Sequence, residues 1–175
     1  KMVIKMKIYC DGSAYPNPGP GGFGVIVVDN HENFVYNIYR ERCENTTNNR
    51  EELKAVLYCL KNYGINIYEA TTLDSFLFNF PIVFSDSAYA VNTFNQWMFQ
   101  WANNDWKNSS GKIAENVDIV KEYYELYKKG YRIQLEKVKG HSGVKWNEVA
   151  DRLASADGDK EHDKWKEKII TVSTT

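Results

Sequence analysis

The order of apolar and polar positions predicts three short strands at the start of the chain. Apolar side chains alternate with polar ones over residues 2–10, as in a half-buried strand. A turn rich in Gly and Pro is predicted over residues 11–22, and two further strands over 23–28 and 34–42. Three consecutive short strands are typical of an antiparallel meander.

The pattern then changes to the period of a helix. Apolar residues recur every three or four positions over 48–63, and Gly64 is a helix stop. Residues 65–80 lack a clear period and are predicted as a loop or insertion. The apolar run 82–84 after Pro81 is short enough to be a buried central strand.

Helices dominate the second half. One or two helices rich in Trp are predicted over 87–106, another over 115–129, a strand over 131–138, and a last helix from 146 or 147 to 155. The tail 156–175 is left unassigned. Together the elements predict an α/β fold, a mixed sheet covered by helices, in one undivided domain.

Composition agrees with one globular domain and narrows the class. The chain has 175 residues, of which 43% are hydrophobic and 26% charged, and its net charge of −1 provides no global basic field. It lacks an apolar run of eighteen residues and a signal-peptide core, so no membrane partner is expected. Cys10, Cys43 and Cys59 have no metal-site spacing. Reduced thiols and an intracellular, reducing compartment are therefore expected.

Two strands end alike, each with an aspartate. Asp11 follows the first strand within Cys10-Asp11-Gly12-Ser13, and Asp86 follows the buried run within Ser85-Asp86-Ser87. Carboxylates at strand ends point into the crevice where α/β sheets bind ligands. Two close carboxylates need a proton or a cation between them, and oxygen ligands suit Mg²⁺ or Mn²⁺. The alternative is that each Asp only caps the following turn or helix.

Two further acids have the same ambiguity. Glu52 lies three residues after Asn49, as a capping-box glutamate would, but it also lies on the edge of the helix stripe that faces the sheet. Asp151 shares a helix face with Asn147 and could equally be a solvated surface charge.

Six short strings combine these residues into a resemblance. In order along the chain they are DGS at Asp11, NPGPGGFG from Asn17, TTNNREEL from Thr46, FSDS from Phe84, VKGHSG from Val138 and NEVADRLA from Asn147. Together they resemble the type 1 ribonuclease H family over residues 3–156. The resemblance implies the ribonuclease H-like fold, a five-stranded mixed sheet with three antiparallel strands followed by two parallel ones, flanked by helices.

The resemblance also implies a reaction and a site. The reaction is endonucleolytic hydrolysis of the RNA strand of an RNA–DNA hybrid, leaving 5′-phosphate and 3′-hydroxyl ends. Asp11 would bridge two Mg²⁺ ions, Asp151 would complete one, and Glu52 with Asp86 would hold the other, with Mn²⁺ as a substitute. His141 resembles the loop histidine that assists proton transfer or product departure.

Substrate-binding positions follow from the same motifs. Gly12, Ser13, Asn17, Asn48 and Asn49 resemble residues that contact the hybrid, although turn and capping chemistry also explains them. Thr47 resembles the hydroxyl of a pocket for a DNA phosphate, and Tyr89 and Trp97 resemble the aromatic floor of the DNA channel.

The chain also departs from the family pattern. Asn45 replaces a common arginine beside the phosphate pocket, Ala88 stands where longer side chains reach the minor groove, and residues 102–105 read Ala-Asn-Asn-Asp where a basic handle is expected. Weak hybrid binding with a shallow salt dependence is therefore expected.

The predicted organisation is a catalytic domain over residues 1–156 and an extension of unknown role over 157–175. We expect a monomer whose partner is the hybrid and which needs no small-molecule cofactor. Two alternatives stay open. One is a catalytically silent module on the same fold that binds nucleic acid or protein. The other is a different metal-dependent nuclease, against which the NPGP and VKGHSG strings argue.

Overall fold

The computed structural model describes residues 5–69, 80–138 and 144–169, and within them a five-stranded mixed sheet forms the centre. The strands of this sheet are β1 (Met6–Ala14), β2 (Gly19–Asp29), β3 (Val35–Thr46), β5 (Ile82–Ser85) and β7 (Gln134–Lys137). They lie in the order β3-β2-β1-β5-β7. The first three strands are antiparallel, and β5 and β7 run parallel to β1. The predicted fold class is therefore confirmed.

Six helices flank this sheet, and a two-stranded ribbon pairs β4 (Ile65–Asn66) with β6 (Tyr131–Arg132) in the part of the chain that is described. A π-helical turn (Thr93–Trp97) joins α2 to α3, so the predicted Trp-rich helical region ends at Ala102 rather than at residue 106. The helices are α1 (Asn48–Tyr63), α2 (Ala88–Asn92), α3 (Met98–Ala102), α4 (Val117–Lys128), α5 (Lys145–Ala154) and α6 (Asp159–Lys166).

The predicted turn over residues 11–22 was wrong in extent. The first two strands continue through most of it, and only residues 15–18 lie between them. The glycines there serve close packing within the sheet. A Cβ at Gly21 would lie 2.4 Å from the Ser13 carbonyl oxygen, and one at Gly22 would lie 2.3 Å from that of Glu41.

One strand prediction was wrong in extent, and the structure assigns a helix in the tail. The strand over 131–138 is divided at Ile133 into β6 and β7, which belong to different sheets. The unassigned tail contains α6, which places Trp165 against Trp146 with ring centroids 5.1 Å apart.

The sheet buries a core on each face. One core holds Ile8, Cys10 and Val25 of the sheet against α1 and α4. The other holds Tyr9 and Ile26, which point to the opposite face, against α5 and Trp165. Burial of aliphatic side chains on both faces explains why the central strands are continuously apolar.

The three cysteines are free thiols, as predicted. Cys10 and Cys59 are fully buried, whereas Cys43 on β3 is partly exposed.

Candidate metal centre and nucleic-acid interface

Asp11 and Asp86 lie at one edge of the sheet because their strands are parallel neighbours. Tyr9 on β1 is the register partner of Phe84 on β5, so both aspartates lie two residues beyond this pair. Asp11 is nearly buried, with 4% of its surface exposed, and Asp86 is half-buried. The sequence prediction that two strand-end carboxylates meet is confirmed by this register.

Helix α1 brings Glu52 to the same edge. The hydroxyl of Thr47 accepts a hydrogen bond from the Arg50 amide at 3.1 Å, which fixes the start of the helix one turn before Glu52. Gly12 lets this turn lie directly on β1, because a Cβ at Gly12 would be 2.4 Å from the Glu52 amide nitrogen. The glycine after Asp11 is thus required by the close approach of helix and strand.

Three carboxylates converge as a result. Oxygen atoms of Asp11, Glu52 and Asp86 all lie within 4.8 Å of one another. Glu52 Oε2 is buried and has no hydrogen-bond partner. Burial raises the pKa of Glu52 to about 8, and the charge of Asp86 adds to this increase. Burial and the charge of Glu52 raise the pKa of Asp11 well above its usual range.

Asp151 approaches this cluster from the opposite face of the sheet. It lies on α5, is solvent-exposed, and makes a carboxyl–carboxyl contact with Asp11. It lies outside the group of three whose oxygens are mutually within 4.8 Å. The four predicted carboxylates therefore meet at one sheet edge, three of them tightly and Asp151 at the flank.

This donor set fits a hard divalent cation. Carboxylate oxygens are the ligands that Mg²⁺ and Mn²⁺ prefer, and a buried oxygen with no hydrogen-bond donor, such as Glu52 Oε2, lacks any other compensation for its burial. The raised pKa values of Asp11 and Glu52 have burial as their main cause, which penalises the charged form of both carboxyls. The arrangement can hold cations and, through them, polarise a phosphodiester.

The predicted contact residues of the β1–β2 turn and α1 line one cavity of about 560 Å³. Asn48 joins the two sides of the cavity. Its side-chain Oδ1 accepts a hydrogen bond from the backbone amide of Ala14 at 2.6 Å, and its backbone amide donates to Asn17 Oδ1 at 3.1 Å. The capping explanation thus holds for Asn17, whose side chain accepts from the first amide of α1, and Thr47 also caps this helix. The lining residues are Asn17, Pro18, Thr47, Asn48, Asn49, Glu115 and Asn116.

Sequence reasoning missed Glu115 and Asn116. Asn116 precedes α4 in the left-handed region, with a φ of 56°, and its side chain does not cap the helix. It accepts a hydrogen bond from Arg50 at 3.4 Å and donates one to the Tyr89 hydroxyl at 3.3 Å. An asparagine before a helix usually indicates a cap, so the sequence carried no signal for this role.

Tyr89 and Trp97 continue the surface. Their ring centroids lie 6.4 Å apart, and Trp97 also contacts Trp101 at 6.2 Å. Trp97 and Trp101 line a second cavity of about 510 Å³ whose only charged lining residue, among those described, is Lys107. The handle region is therefore aromatic and amide-rich on its cavity side.

Some of the predicted residues lie outside the part of the chain that the structure describes, and two others lie in β1. His141 lies outside the described residues, as does most of the 65–80 segment. Gly12 is buried under α1, and Ser13 is half-buried opposite Gly22 on β2.

Known proteins of similar sequence identify the family of this chain. The RNase H family profile matches residues 4–158. The chain belongs to the ribonuclease H family. Ribonuclease H of Syntrophomonas wolfei is 39% identical over 149 residues, which cover 84% of this chain and 91% of that protein. Ribonuclease H of Orientia tsutsugamushi is 36% identical over 159 residues, 87% of this chain and 81% of that protein.

Solved structures agree with this assignment. LC9-RNase H1, a type 1 RNase H with the type 2 active-site motif, superposes with a TM-score of 0.64 at 26% identity, covering 92% of this chain and 75% of that one. LC11-RNase H1, solved with an RNA/DNA hybrid, shares the fold with a TM-score of 0.60 at 21% identity, covering 89% and 98%.

The ribonuclease H assignment confirms the enzyme class predicted from the sequence, a metal-dependent nuclease. Among the described helices, none is long and apolar enough to cross a membrane.

Proposed function

We propose that this ribonuclease H cleaves the RNA strand of RNA–DNA hybrids, with two Mg²⁺ ions held by Asp11, Glu52, Asp86 and Asp151. The observation that carries the proposal is the group of Asp11, Glu52 and Asp86 at the sheet edge, in which two buried carboxyls and the half-buried Asp86 lie close together and Glu52 Oε2 has no hydrogen-bond partner. Such a group is stable in its charged form only when cations neutralise it.

Each carboxylate has a distinct position in the mechanism. Asp11, in contact with Asp151 and beside Glu52, occupies the centre and would contact both cations. Glu52 and Asp86 would complete one side and Asp151 the other. Bound Mg²⁺ ions supply Lewis acidity for the attacking water and for the leaving 3′ oxygen. Attack by water on phosphorus with departure of the 3′ oxygen yields 5′-phosphate and 3′-hydroxyl ends. From the family resemblance, His141 would assist the proton transfer.

Substrate selection would use the cavity beside the site. The amides of Asn17, Asn48 and Asn49 offer donors and acceptors for a ribose 2′-hydroxyl and for base edges in a minor groove. Thr47 and Asn116 would lie beside a phosphate of the DNA strand, and Tyr89 with Trp97 would pack against its sugars. Because these contacts are to shape and backbone, we expect cleavage of many sequences.

The test compares four labelled substrates: an RNA–DNA hybrid, double-stranded RNA, single-stranded RNA and duplex DNA. Each is incubated with Mg²⁺, Mn²⁺ or EDTA. We expect cleavage of the RNA strand of the hybrid alone, with Mg²⁺ or Mn²⁺ and not with EDTA. Lys61→Gln is the matched control, because Lys61 is an α1 residue paired with Glu122 away from the site.

Other outcomes would contradict the proposal. Hybrid binding without cleavage under any metal would favour the silent binding module. Cleavage of duplex DNA would favour a different nuclease on this fold.

A further inference from the structure

Two arginines of β3 hold the C-terminal end of α5. Arg40 donates from Nε to the Leu153 carbonyl at 2.9 Å and from Nη2 to the Ser155 carbonyl at 2.8 Å. Arg42 donates from Nη1 to the Ala154 carbonyl at 2.6 Å. The last carbonyls of a helix have no partners within it and carry the negative end of its dipole. The last two carbonyls of α5 and that of Ser155, which follows the helix, are therefore bound by guanidinium groups from another element.

Arg40 also connects α5 to α6. Its Nη1 forms an ion pair with Asp159 in the first turn of α6, and only 13% of the Arg40 side chain is exposed. Gly158 permits this packing, because a Cβ there would lie 2.6 Å from the Leu153 carbonyl oxygen and 2.8 Å from Arg40 Nε. One side chain thus joins three elements.

Helix α5 is also pressed against the sheet at the level of the candidate metal site. A Cβ at Gly24 would lie 2.5 Å from Leu153 Cβ and 2.6 Å from the Ala150 carbonyl oxygen. Gly24 is the register partner of Asp11, and Asp151 directly follows Ala150. The glycine sets the separation of helix and strand, and the buried face of α5, which includes Val149 and Leu153, packs on the sheet. The polar contacts at the end of the helix add to this restraint.

Rotation of α5 decides where the Asp151 carboxylate lies. A side-chain atom about 6 Å from a helix axis moves about 0.5 Å when the helix rotates by about 5°. Functional sites require their groups to be held within about 0.5 Å. The guanidinium of Arg40 binds the carbonyls of Leu153 and Ser155, and two points of attachment at the helix end oppose rotation as well as sliding.

We propose that Arg40 is a positioning residue that orients Asp151 for metal binding. The proposal rests on the assignment of Asp151 to the metal site under the proposed function. Arg152 also ties α5 to α6, through Glu161 at 3.0 Å, but its side chain is 49% exposed and it does not touch the end of the helix. Arg42 binds the Ala154 carbonyl alone, whereas Arg40 binds the Leu153 and Ser155 carbonyls and Asp159, so Arg40 makes the larger share of the polar contacts from β3 to this helix end.

The experiment measures metal affinity and catalysis on the full chain with Arg40→Gln, Arg40→Lys and Val120→Ala. Val120 is buried on α4, across the sheet from α5, and its truncation serves as a stability-matched control. For Arg40→Gln we expect Mg²⁺ affinity in titration calorimetry to fall by about tenfold, the low end for residues that orient metal ligands. Half-saturating Mg²⁺ for cleavage should rise equally, with KM for the hybrid unchanged.

The conservative variant Arg40→Lys tests whether the planar guanidinium, and not its charge alone, is needed to orient Asp151. Arg40→Lys keeps the charge beside Asp159, but a single ammonium cannot replace the planar fork. We expect it to recover only part of the Mg²⁺ affinity. Should Arg40→Gln fail to fold, Asp159→Asn frees one end of the guanidinium, and a two- to threefold loss of Mg²⁺ affinity is expected.

One result would contradict the positioning role of Arg40, and another would contradict only the proposed function. If the Arg40 variants lose thermal stability as Val120→Ala does while Mg²⁺ affinity stays at the wild-type value, Arg40 only braces the fold and the inference is wrong. If the wild type binds Mg²⁺ but does not cleave hybrids, while Arg40→Gln binds Mg²⁺ more weakly, the positioning role stands and the proposed function fails.

Discussion

Replacing Glu52 by Gln should make the metal-free protein more stable at neutral pH, although it should abolish activity. Glu52 is 9% exposed, its Oε2 has no hydrogen-bond partner, and burial raises its pKa from 4.5 to about 8. A glutamine has nearly the same shape and no charge. Its amide can also form a hydrogen bond with the carboxyl group of Asp11.

The size of the effect follows from the two pKa values. A carboxyl whose pKa is higher in the folded state contributes stability below the pKa of the unfolded chain and loses it as pH rises through the folded value. Between pH 4.5 and 8 the loss is about 1.4 kcal/mol per pH unit. It therefore reaches about 3 kcal/mol at pH 7 and stays under about 1 kcal/mol at pH 5. Glu52→Gln removes this loss.

The assay is urea denaturation in EDTA at pH 5, 6, 7 and 8, followed by tryptophan fluorescence. The gain in unfolding free energy of the variant over the wild type should grow with each step. Glu122→Gln, at an exposed residue on α4, is the matched control and should show a difference that does not vary with pH. Added Mg²⁺ should raise the stability of the wild type and leave that of Glu52→Gln nearly unchanged, because ligand binding to the folded state alone stabilises it.

A lower stability of the Glu52→Gln variant would refute this prediction. If Glu52→Gln is less stable than the wild type at pH 7 or 8 in EDTA, the buried carboxylate is compensated within the protein and the case for a cation there collapses.

Three further predictions concern the site and its surroundings. Asp86→Asn should reduce cleavage by several orders of magnitude while hybrid affinity in a gel-shift assay changes by less than about threefold; substantial Mg²⁺-dependent cleavage by this variant would contradict the metal assignment. Gly12→Ala should lower unfolding free energy in urea by about 2 kcal/mol or more, because its Cβ would lie 2.3 Å from the Glu51 carbonyl carbon. Lysines at residues 103–105 should tighten hybrid binding and steepen the slope of log affinity against log salt, by up to about 0.9 for each new phosphate contact. An unchanged slope in fluorescence anisotropy would show that these residues do not face the hybrid.

The meeting of Asp11 and Asp86 at the sheet edge was predictable, because the sequence pattern at the end of each strand is recognisable. A buried run followed by Asp and small polar residues occurs twice, and parallel pairing places both at one edge. Helix periodicity also placed Glu52 on the margin of the packed face. The same periodicity could not say that Asp151 would lie beside Asp11, because this depends on how α5 packs on β2 and on the contacts that β3 makes with its end.

Other features depend on contacts that are distant in sequence. The glycines over residues 12–22 indicated a turn, whereas most of them lie in strands and are small because another backbone passes close by. Helix α6 contributes little apolar surface besides Trp165, so its charged sequence gave no amphipathic signal. Its position depends on Arg40 and Trp146, which belong to other elements.

Because two of its three cysteines are buried, the protein can be labelled at the third to measure hybrid binding. With Cys10 and Cys59 fully enclosed, a maleimide dye added to the native protein should attach at Cys43 alone. Cys43 lies on β3 as the register partner of Gly21 on β2, and it precedes Thr47 on the wall of the candidate hybrid cavity by four residues. The natural chain thus offers a single labelling position beside its proposed binding surface. Fluorescence from this position could follow hybrid binding in real time without any engineered cysteine.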